Sequence, residues 1–440
     1  MRKRGIGTAV VLALMLAVSL TRASRATVGP PGLTPVACPD QDWQYSDPTF
    51  QALPGARALF GRYDGGVYRI EIPSPWNGDL VLWAHGYVDN TGDQGSQLRV
   101  GFPGGGLEGP LRQHLIDRGY AWAASSYRCN GFVPGIGLLD TMALMDVFTK
   151  SNGKSPRRVY LTGGSMGGHI TILGLQEFPT TFAGGLAMCP AGPGAMDFLT
   201  AVAAASTAIS GVTVADATAD QDLAKLTEVL GKPPAYTEKG RQLASVQIEI
   251  SGGPRPFALE GLATRFTENV LAAARLTGDP ARAPWRRVAT NADVRYVIDE
   301  HLGLTADALN ARVVRTHAVP EARSPHGPYE ETIPFDGRIE RPLMTLHGSG
   351  DLYVPISLEQ SLKRTVDAAR SQRFLVQRIM RIAGHCGFSV PEQTRAFDDL
   401  TKWVEKNVRP EGDTLRGDLR NAGLKFTDPL RPGDPGTERP

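Results

Sequence analysis

Strand-like and helix-like segments alternate along two separate stretches of this chain, with short connections between them. Such alternation is typical of an α/β protein with a mostly parallel central sheet and helices on both faces. In the first stretch, the predicted strands are Val67–Ile72, Leu80–Ala84, Ala121–Tyr127, Val159–Leu161 and Gly185–Met188. In the second stretch, the predicted elements are a strand at Leu343–Leu346, a helix at Ser357–Arg370, a strand at Phe374–Ile382 and a helix at Glu392–Asn407.

The segment between these stretches is rich in alanine and lacks a convincing buried strand. Proline and glycine breaks separate its candidate helices, which are Met196–Ser210, Gln221–Leu230, Glu260–Leu276, Ala292–His301 and Ala306–Val314. One interpretation is a separate helical domain. The other is a helical cap inserted over the carboxyl ends of the strands, where an open α/β sheet carries its ligand.

The amino terminus has the pattern of a secretory signal peptide. Arg2-Lys3-Arg4 is a basic start, Ile6–Leu20 is apolar, and Ser24-Arg25-Ala26 provides small residues for cleavage after Ala26. An uncleaved membrane anchor is the alternative, but a span needs about 20 apolar residues and this run is shorter. The sequence therefore predicts an exported protein, extracellular or periplasmic, with no stable membrane anchor after cleavage.

These patterns divide the chain into six parts: residues 1–26 as signal peptide, 27–66 as irregular lead-in, 67–190 as first part of the core, 191–340 as helical cap or lid, 341–408 as second part of the core, and 409–440 as a polar tail. The tail is expected to be flexible or bound to the surface. The formal net charge of +2 gives no indication of a nucleic-acid partner. The sequence contains neither a Cys-x-x-Cys nor a His-Glu-x-x-His pattern, so these patterns give no indication of a metal centre.

The segment Gly163-Gly164-Ser165-Met166-Gly167 follows one of the predicted strands and precedes a helical pattern. A serine in Gly-x-Ser-x-Gly between strand and helix sits on a tight turn that exposes its hydroxyl oxygen above the sheet. The small flanking residues are needed because the turn leaves no room for side chains. Ser165 is therefore the candidate nucleophile, with an ordinary glycine-rich turn as the alternative interpretation.

A serine nucleophile needs a histidine base, which in turn is oriented by a carboxylate. The tight turn that carries such a serine is called a nucleophile elbow. In proteins with this elbow, the catalytic residues follow one another along the chain in the order serine, acid, histidine. Asp351 follows one late strand and His385 follows the last, and His385 is the only histidine after Asp351. Ser165, Asp351 and His385 therefore form the predicted catalytic triad, and Asp197 is the second candidate for the acid.

Two backbone N–H groups are expected to stabilise the oxyanion formed during attack. One is that of Met166 at the start of the helix, and the other is that of Tyr87 in the loop after Leu80–Ala84. His85 and His347 are interpreted as structural histidines, because His385 already supplies the base. His169 either lines the pocket or packs in the interior.

These motifs resemble the α/β-hydrolase superfamily over Leu80–Pro190 and Arg341–Val408. Within it, the Gly-Gly-Ser-Met-Gly-Gly elbow and the terminal Gly-His-Cys are similar to secreted bacterial esterases, polyester depolymerases and prolyl-oligopeptidase-type hydrolases. The resemblance implies an α/β-hydrolase fold with its cap inserted after the sixth strand, and a covalent acyl-enzyme mechanism without a cofactor. The tannase and feruloyl-esterase group has one cysteine beside its serine and another beside its histidine. This chain has Cys386 beside His385, but a glycine, Gly164, beside Ser165.

The four cysteines of this chain suggest two disulfides in an exported protein. In sheets of the family it resembles, the strand before Cys129 lies toward one edge and those before Cys189 and Cys386 lie in the other half. That arrangement favours Cys38–Cys129 and Cys189–Cys386. The second pair has to cross two strand spacings, about 10 Å, which requires the loops to bend inward.

The leading functional hypothesis is a secreted serine esterase acting on a small-molecule or polymeric ester, with the cap shaping the pocket. A serine peptidase or amidase would use the same triad, and Glu330-Glu331 or Glu260 could then hold a free amine. A catalytically inactive hydrolase fold that acts as a binding protein is the third hypothesis. The intact set of Ser165, Asp351 and His385 argues against it.

Overall fold

The computed structural model describes residue 38 and residues 40–90, 95–105, 109–278, 289–320 and 335–430. In these ranges, eight strands form one central sheet: β1 (Ala56–Tyr63), β2 (Gly66–Pro73), β3 (Asp79–Ala84), β4 (Ala121–Ser125), β5 (Arg158–Gly164), β6 (Gly184–Met188), β7 (Leu343–Gly348) and β8 (Leu375–Met380). Their order is β8-β7-β6-β5-β3-β4-β2-β1. The pairings from β8 to β4 are parallel, whereas β2 is antiparallel to both β4 and β1.

Helices cover both faces of this sheet, as the alternation predicts. The helices that flank it are α1 (Pro110–Asp117), α2 (Pro134–Asn152), α3 (Met166–Glu177), α10 (Ser357–Ala368) and α11 (Val390–Lys406). Leu82 joins the apolar core on the α2 and α3 side, while Val81 and Trp83 join the core on the α1 and α11 side. Successive residues of β3 thus bury opposite faces, which explains why its sequence is continuously apolar.

The first sheet strand, β1, lies inside the segment predicted as an irregular lead-in. Its residues alternate between half-buried and exposed, and Phe60 is 41% exposed. It pairs with β2 alone at the edge of the sheet. An edge strand with a solvated face needs no continuous apolar run, so the sequence pattern that would identify this strand is weak.

The segment between β6 and β7 is helical, as expected. Its α-helices in the described ranges are α4 (Gly194–Ser210), α5 (Ala219–Leu230), α6 (Glu238–Ile250), α7 (Ala258–Arg265), α8 (Glu268–Gly278) and α9 (Ala306–Arg312). Helix α6 was not among the predicted helices, and the predicted helix Glu260–Leu276 is divided between α7 and α8. Buried side chains of these helices, including Leu243 and Leu262, belong to the same apolar core as Ile170 of α3. The insertion therefore packs continuously onto the sheet's helical layer.

The predicted helix Ala292–His301 is not present. Instead, asparagine side chains hold this segment at Tyr296. Asn310 accepts a hydrogen bond from the Tyr296 N–H (3.1 Å) and donates one to the Tyr296 carbonyl (2.7 Å). Asn291 Nδ2 donates to the Tyr296 hydroxyl (2.9 Å). The Asn310 side chain thus satisfies backbone groups that a helix would otherwise pair, which sequence periodicity cannot reveal.

The described part of the C-terminal tail is bound to the body of the protein, one of the two expected possibilities. Leu415, Leu419 and Ala422 are buried in a cluster with Ile379 of β8. The fully buried Arg381 donates hydrogen bonds to the carbonyls of this tail at positions 420 and 422. Three apolar residues three or four positions apart provide the packing face.

No helix within the described ranges is both long and apolar enough to cross a membrane. The predicted signal peptide, residues 1–26, lies outside the described residues.

Candidate active site

Ser165 occupies the turn between β5 and α3. Its backbone has φ 58° and ψ −119°, a left-handed conformation that is strained for a residue with a side chain. Its N–H donates to the Met188 carbonyl of the neighbouring strand (2.9 Å), and its own carbonyl accepts from the His169 N–H (3.1 Å). These bonds hold the turn in place while Ser165 itself is only partly buried. The predicted nucleophile therefore sits on an elbow above the sheet.

The glycines of the motif are required by the close approach of neighbouring backbone. A Cβ on Gly167 would lie 2.0 Å from the Ala84 carbonyl oxygen of β3. One on Gly163 would lie 2.4 Å from the Gly167 carbonyl oxygen. Both distances are far below van der Waals contact, so any side chain would displace the start of α3 from the sheet.

His385 and Asp351 meet Ser165 at the carboxyl end of the sheet. His385 Nε2 lies 2.9 Å from Ser165 Oγ, and His385 Nδ1 lies 2.6 Å from Asp351 Oδ2. Asp351 follows β7 and His385 follows β8, so two adjacent parallel strands deliver their loops to one place. The three residues selected by chain order thus form one continuous hydrogen-bonded series.

The environment of Asp351 favours its ionised form. Its side chain is only 1% exposed, and burial by itself raises the pKa of a carboxyl. The positive charge and hydrogen bond available from His385 oppose that effect and hold the pKa of Asp351 below its ordinary value. Its Oδ1 also accepts from the N–H groups of Tyr353 (2.9 Å) and Val354 (3.1 Å). Asp351 is therefore an oriented carboxylate that can stabilise an imidazolium.

The runner-up acid, Asp197, lies on α4. Its Oδ1 accepts from the Thr290 N–H (2.8 Å), while Nδ1 of His385 is bonded to Asp351. The geometry therefore favours Asp351 over Asp197.

Three other histidines near the site are buried or have local partners. The His85 ring stacks on the Tyr127 ring with 3.8 Å between the ring centroids. Nδ1 of His85 lies 2.7 Å from the Gly86 carbonyl oxygen. Nδ1 of the buried His347 lies 3.0 Å from the Gly348 carbonyl oxygen. Fully buried His169 packs against aromatic rings, and burial lowers its pKa to about 3. These environments suit packing roles.

A small cavity of about 30 Å³ adjoins Ser165. Both residues expected to supply oxyanion donors, Tyr87 and Met166, line it. Met166 is the first residue of α3, where N–H groups have no partner within the helix. The remaining lining residues are largely apolar: Phe132, Ala191, Ala195, Met196, Tyr353 and Val354. The cavity thus has the composition of a site for a small apolar group.

The cysteines are joined as Cys38–Cys129 and Cys189–Cys386, the pairs that the family resemblance favours. The Cα atoms of the second pair are 5.5 Å apart, although β7 lies between β6 and β8. The loop after β8 therefore bends back across the end of β7, as the expected connectivity requires. This disulfide fixes the residue next to His385 to the end of β6.

Among the described residues, one group of possible metal ligands lies at the site: Cys189, His385 and Cys386. The two sulfurs are bonded to each other, and both ring nitrogens of His385 lie within hydrogen-bond distance of Ser165 and Asp351. These atoms already have partners that metal binding would displace.

Some residues around the site were not found from the sequence. Tyr353 packs edge-on to His385 at 5.4 Å, and Met196 lines the cavity. Arg255, in a segment interpreted as a break between helices, is buried against the loop of Asp351. In the sequence, only the position of Tyr353, two residues after the predicted acid, indicates that one of these residues lies near the site, and that indication is weak.

No protein-family model and no curated protein matches this sequence. Among solved structures, the chain is similar to an esterase from Aspergillus oryzae, with 13% identity, a TM-score of 0.47, and coverage of 87% of this chain and 86% of that one. It is also similar to Pyrococcus horikoshii acylaminoacyl peptidase, with 12% identity, a TM-score of 0.40, and coverage of 82% and 43%. This chain spans less than half the length of that peptidase. By its own sheet order, strand directions and nucleophile elbow, the chain has the α/β-hydrolase fold.

Proposed function

We propose that the protein is an exported serine hydrolase that cleaves carboxylic esters. The observation that carries this proposal is the hydrogen-bonded series from Asp351 through His385 to Ser165. A serine hydroxyl is a poor nucleophile near neutral pH, and this series provides both a base and a carboxylate that orients it. Export is supported by the two disulfides, which are typical of proteins outside the cytoplasm.

In the proposed reaction, Ser165 Oγ attacks the ester carbonyl carbon while His385 Nε2 accepts the hydroxyl proton. The carbonyl oxygen becomes an oxyanion, which the N–H groups of Met166 and Tyr87 stabilise. Its collapse breaks the bond to the alcohol, and His385 gives the proton to the departing oxygen. Water then attacks the acyl-enzyme with the same histidine as base, releasing the acid and restoring Ser165.

The cavity beside Ser165 supports a short acyl group. Its volume of about 30 Å³ corresponds to roughly two water-sized probes, since one occupies about 10–15 Å³. The methyl or ethyl part of an acetyl or propionyl group fits that space, and the apolar lining by Ala195, Met196 and Val354 suits it. We therefore propose preference for esters of short acids, whether the alcohol is small or part of a polymer.

The described residues offer less support for a peptidase that holds a free amine. Glu260 is exposed on α7, and no carboxylate is among the residues that line the cavity. Glu330 and Glu331 lie outside the described residues. The inactive binding protein is disfavoured because all three residues of the series are in hydrogen-bond contact.

Hydrolysis of p-nitrophenyl acetate by wild-type protein, Ser165→Ala and Ser361→Ala tests the proposal. Ser361 is an exposed serine of α10, so its replacement controls for general effects of substitution. We expect activity in wild type and Ser361→Ala and none above background in Ser165→Ala. Retained activity in Ser165→Ala would overturn the proposal. Activity on aminoacyl p-nitroanilides exceeding that on esters would favour the peptidase.

A further inference from the structure

A buried arginine from the helical insertion lies beside the loop that carries Asp351. Arg255 stands between α6 and α7 and is 8% exposed. None of the ion pairs formed among the described residues involves its guanidinium, whose hydrogen bonds go to neutral groups instead. A buried charge without a paired carboxylate is costly, so its presence at this position calls for a specific physical role.

The hydrogen bonds of Arg255 connect the insertion to the acid loop. Its Nε donates to the Ser349 carbonyl oxygen (2.5 Å), two residues before Asp351. The other two nitrogens donate to the Gly253 carbonyl oxygen (2.7 Å) and to Ser251 Oγ (3.1 Å). The guanidinium is therefore held by its own segment on one side and fixes the acid loop on the other.

Two further contacts join the insertion to the same loop. Asn269 Nδ2 on α8 donates to the Leu352 carbonyl oxygen (2.9 Å). A Cβ on Gly261 of α7 would lie only 1.8 Å from the Gly350 carbonyl oxygen, so the helix backbone rests directly on the loop. The loop is thus contacted on both sides of Asp351 by the insertion.

Arg255 also contributes a charge. Burial lowers its pKa to about 10, while the negative charge of Asp351 acts in the opposite direction. A guanidinium with that pKa stays protonated at neutral pH. His385 and His347 are the main charged neighbours of the Asp351 carboxylate, and Arg255 adds a further positive charge that interacts with it.

We infer that Arg255 is a positioning residue for catalysis: by its hydrogen bond to the Ser349 carbonyl oxygen it holds the acid loop so that the Asp351 carboxylate is directed at His385. This inference rests on the proposed function, since Asp351 has to act on His385 for Arg255 to matter. The helical insertion then does more than shape the acyl pocket, because it supplies part of the support for the acid. Arg255 does not line the cavity beside Ser165, so its effect on catalysis is expected to pass through Asp351.

The test measures kcat and KM for p-nitrophenyl acetate, normalised to the fraction of Ser165 labelled by a fluorophosphonate. We expect Arg255→Met to lower kcat by about tenfold with KM changed less than about twofold, because binding of the acyl group is untouched. Arg255→Lys, which retains the charge, should recover part of the lost rate. Arg241→Met, at an exposed arginine of α6, should behave as wild type.

A double-mutant cycle separates this role from a merely structural one. In an Asp351→Asn background, Arg255→Met should cause no further loss in the rate of Ser165 phosphonylation, since the carboxylate that Arg255 positions is already absent. The same fractional loss in both backgrounds, or full kcat in Arg255→Met, would overturn the inference. If thermal unfolding shows that Arg255→Met does not fold, the same cycle is measured with Arg255→Lys. An inactive wild type with unlabelled Ser165 would instead contradict the proposed function.

Discussion

His385 Nε2 lies 2.9 Å from Ser165 Oγ, although 220 positions separate the two residues in the chain. The sheet explains this proximity, because β5 and β8 are parallel and end at the same edge. The insertion between β6 and β7 increases the sequence separation without moving the two strand ends apart. The proximity of His385 to Ser165 therefore depends on the topology of the sheet.

Replacing the proposed acid tests the orientation of His385. Asp351→Asn should lower kcat by about a thousandfold or more, because the amide cannot stabilise the imidazolium or fix the same tautomer. KM should change little, since Asp351 is buried away from the cavity. Steady-state kinetics of Asp351→Asn and Asp197→Asn make the comparison. A larger loss of kcat in Asp197→Asn would identify the runner-up as the acid.

The size of the proposed acyl cavity can be changed at Met196. Met196→Ala removes side-chain volume from the cavity wall and should raise the ratio of hexanoate to acetate hydrolysis by about tenfold. The comparison uses kcat/KM for the two p-nitrophenyl esters. Met145→Ala on α2, away from the cavity, is the matched control and should keep the wild-type ratio. An unchanged ratio in Met196→Ala would contradict the proposed acyl site.

Fully buried His169 should make stability depend on pH. Its pKa is lowered by burial from 6.5 to about 3, so the unfolded chain binds a proton that the folded protein does not. The contribution to stability is complete above pH 6.5 and is lost as pH falls toward 3. Between these pH values, the free energy of unfolding should change by up to about 1.4 kcal/mol per pH unit because of His169.

Urea unfolding of wild type and His169→Leu between pH 7 and pH 5 measures this slope. The variant should show a smaller loss of unfolding free energy over that interval. His301→Leu, at an exposed histidine, should retain the wild-type slope. Equal slopes in wild type and His169→Leu would show that His169 titrates normally in the folded state.

The two disulfides should have different effects on activity. Removing Cys189–Cys386 as a Cys→Ser pair frees the residue beside His385, and kcat should fall by about tenfold or more through misalignment. Removing Cys38–Cys129 in the same way is the matched control. Each removal should lower unfolding free energy by about 2–5 kcal/mol, but only the first should lower kcat. Equal kcat values for the two variants would contradict a role of Cys386 in holding His385.

The sequence predicts the parts of the fold that are buried on both sides. Val81 and Trp83 enter one core and Leu82 the other, so β3 is recognisable as a continuous apolar run. Edge strand β1 has no such run, because one face is solvated, and it was missed. The prediction of a helix at Ala292–His301 is wrong, because the side chain of Asn310 rather than a helical turn pairs the backbone of Tyr296.

The candidate site was predictable where chain order and turn chemistry restrict the choice. Ser165 needs its glycines, and His385 is the only histidine after Asp351. Arg255 could not be found in this way, because its relation to the acid loop depends on how α6 and α7 pack. The acyl cavity was unpredictable for the same reason, since residues from the β3 loop, α4 and the acid loop form it together.

The central claim is that His385 and Asp351 activate Ser165 as a nucleophile. Its most direct test is fluorophosphonate labelling of the folded protein, followed by peptide mass spectrometry. We predict one adduct, on Ser165, formed rapidly in wild type, much more slowly in His385→Ala, and not in Ser165→Ala. An adduct on another serine, or no adduct in a folded protein that hydrolyses esters, would contradict the claim.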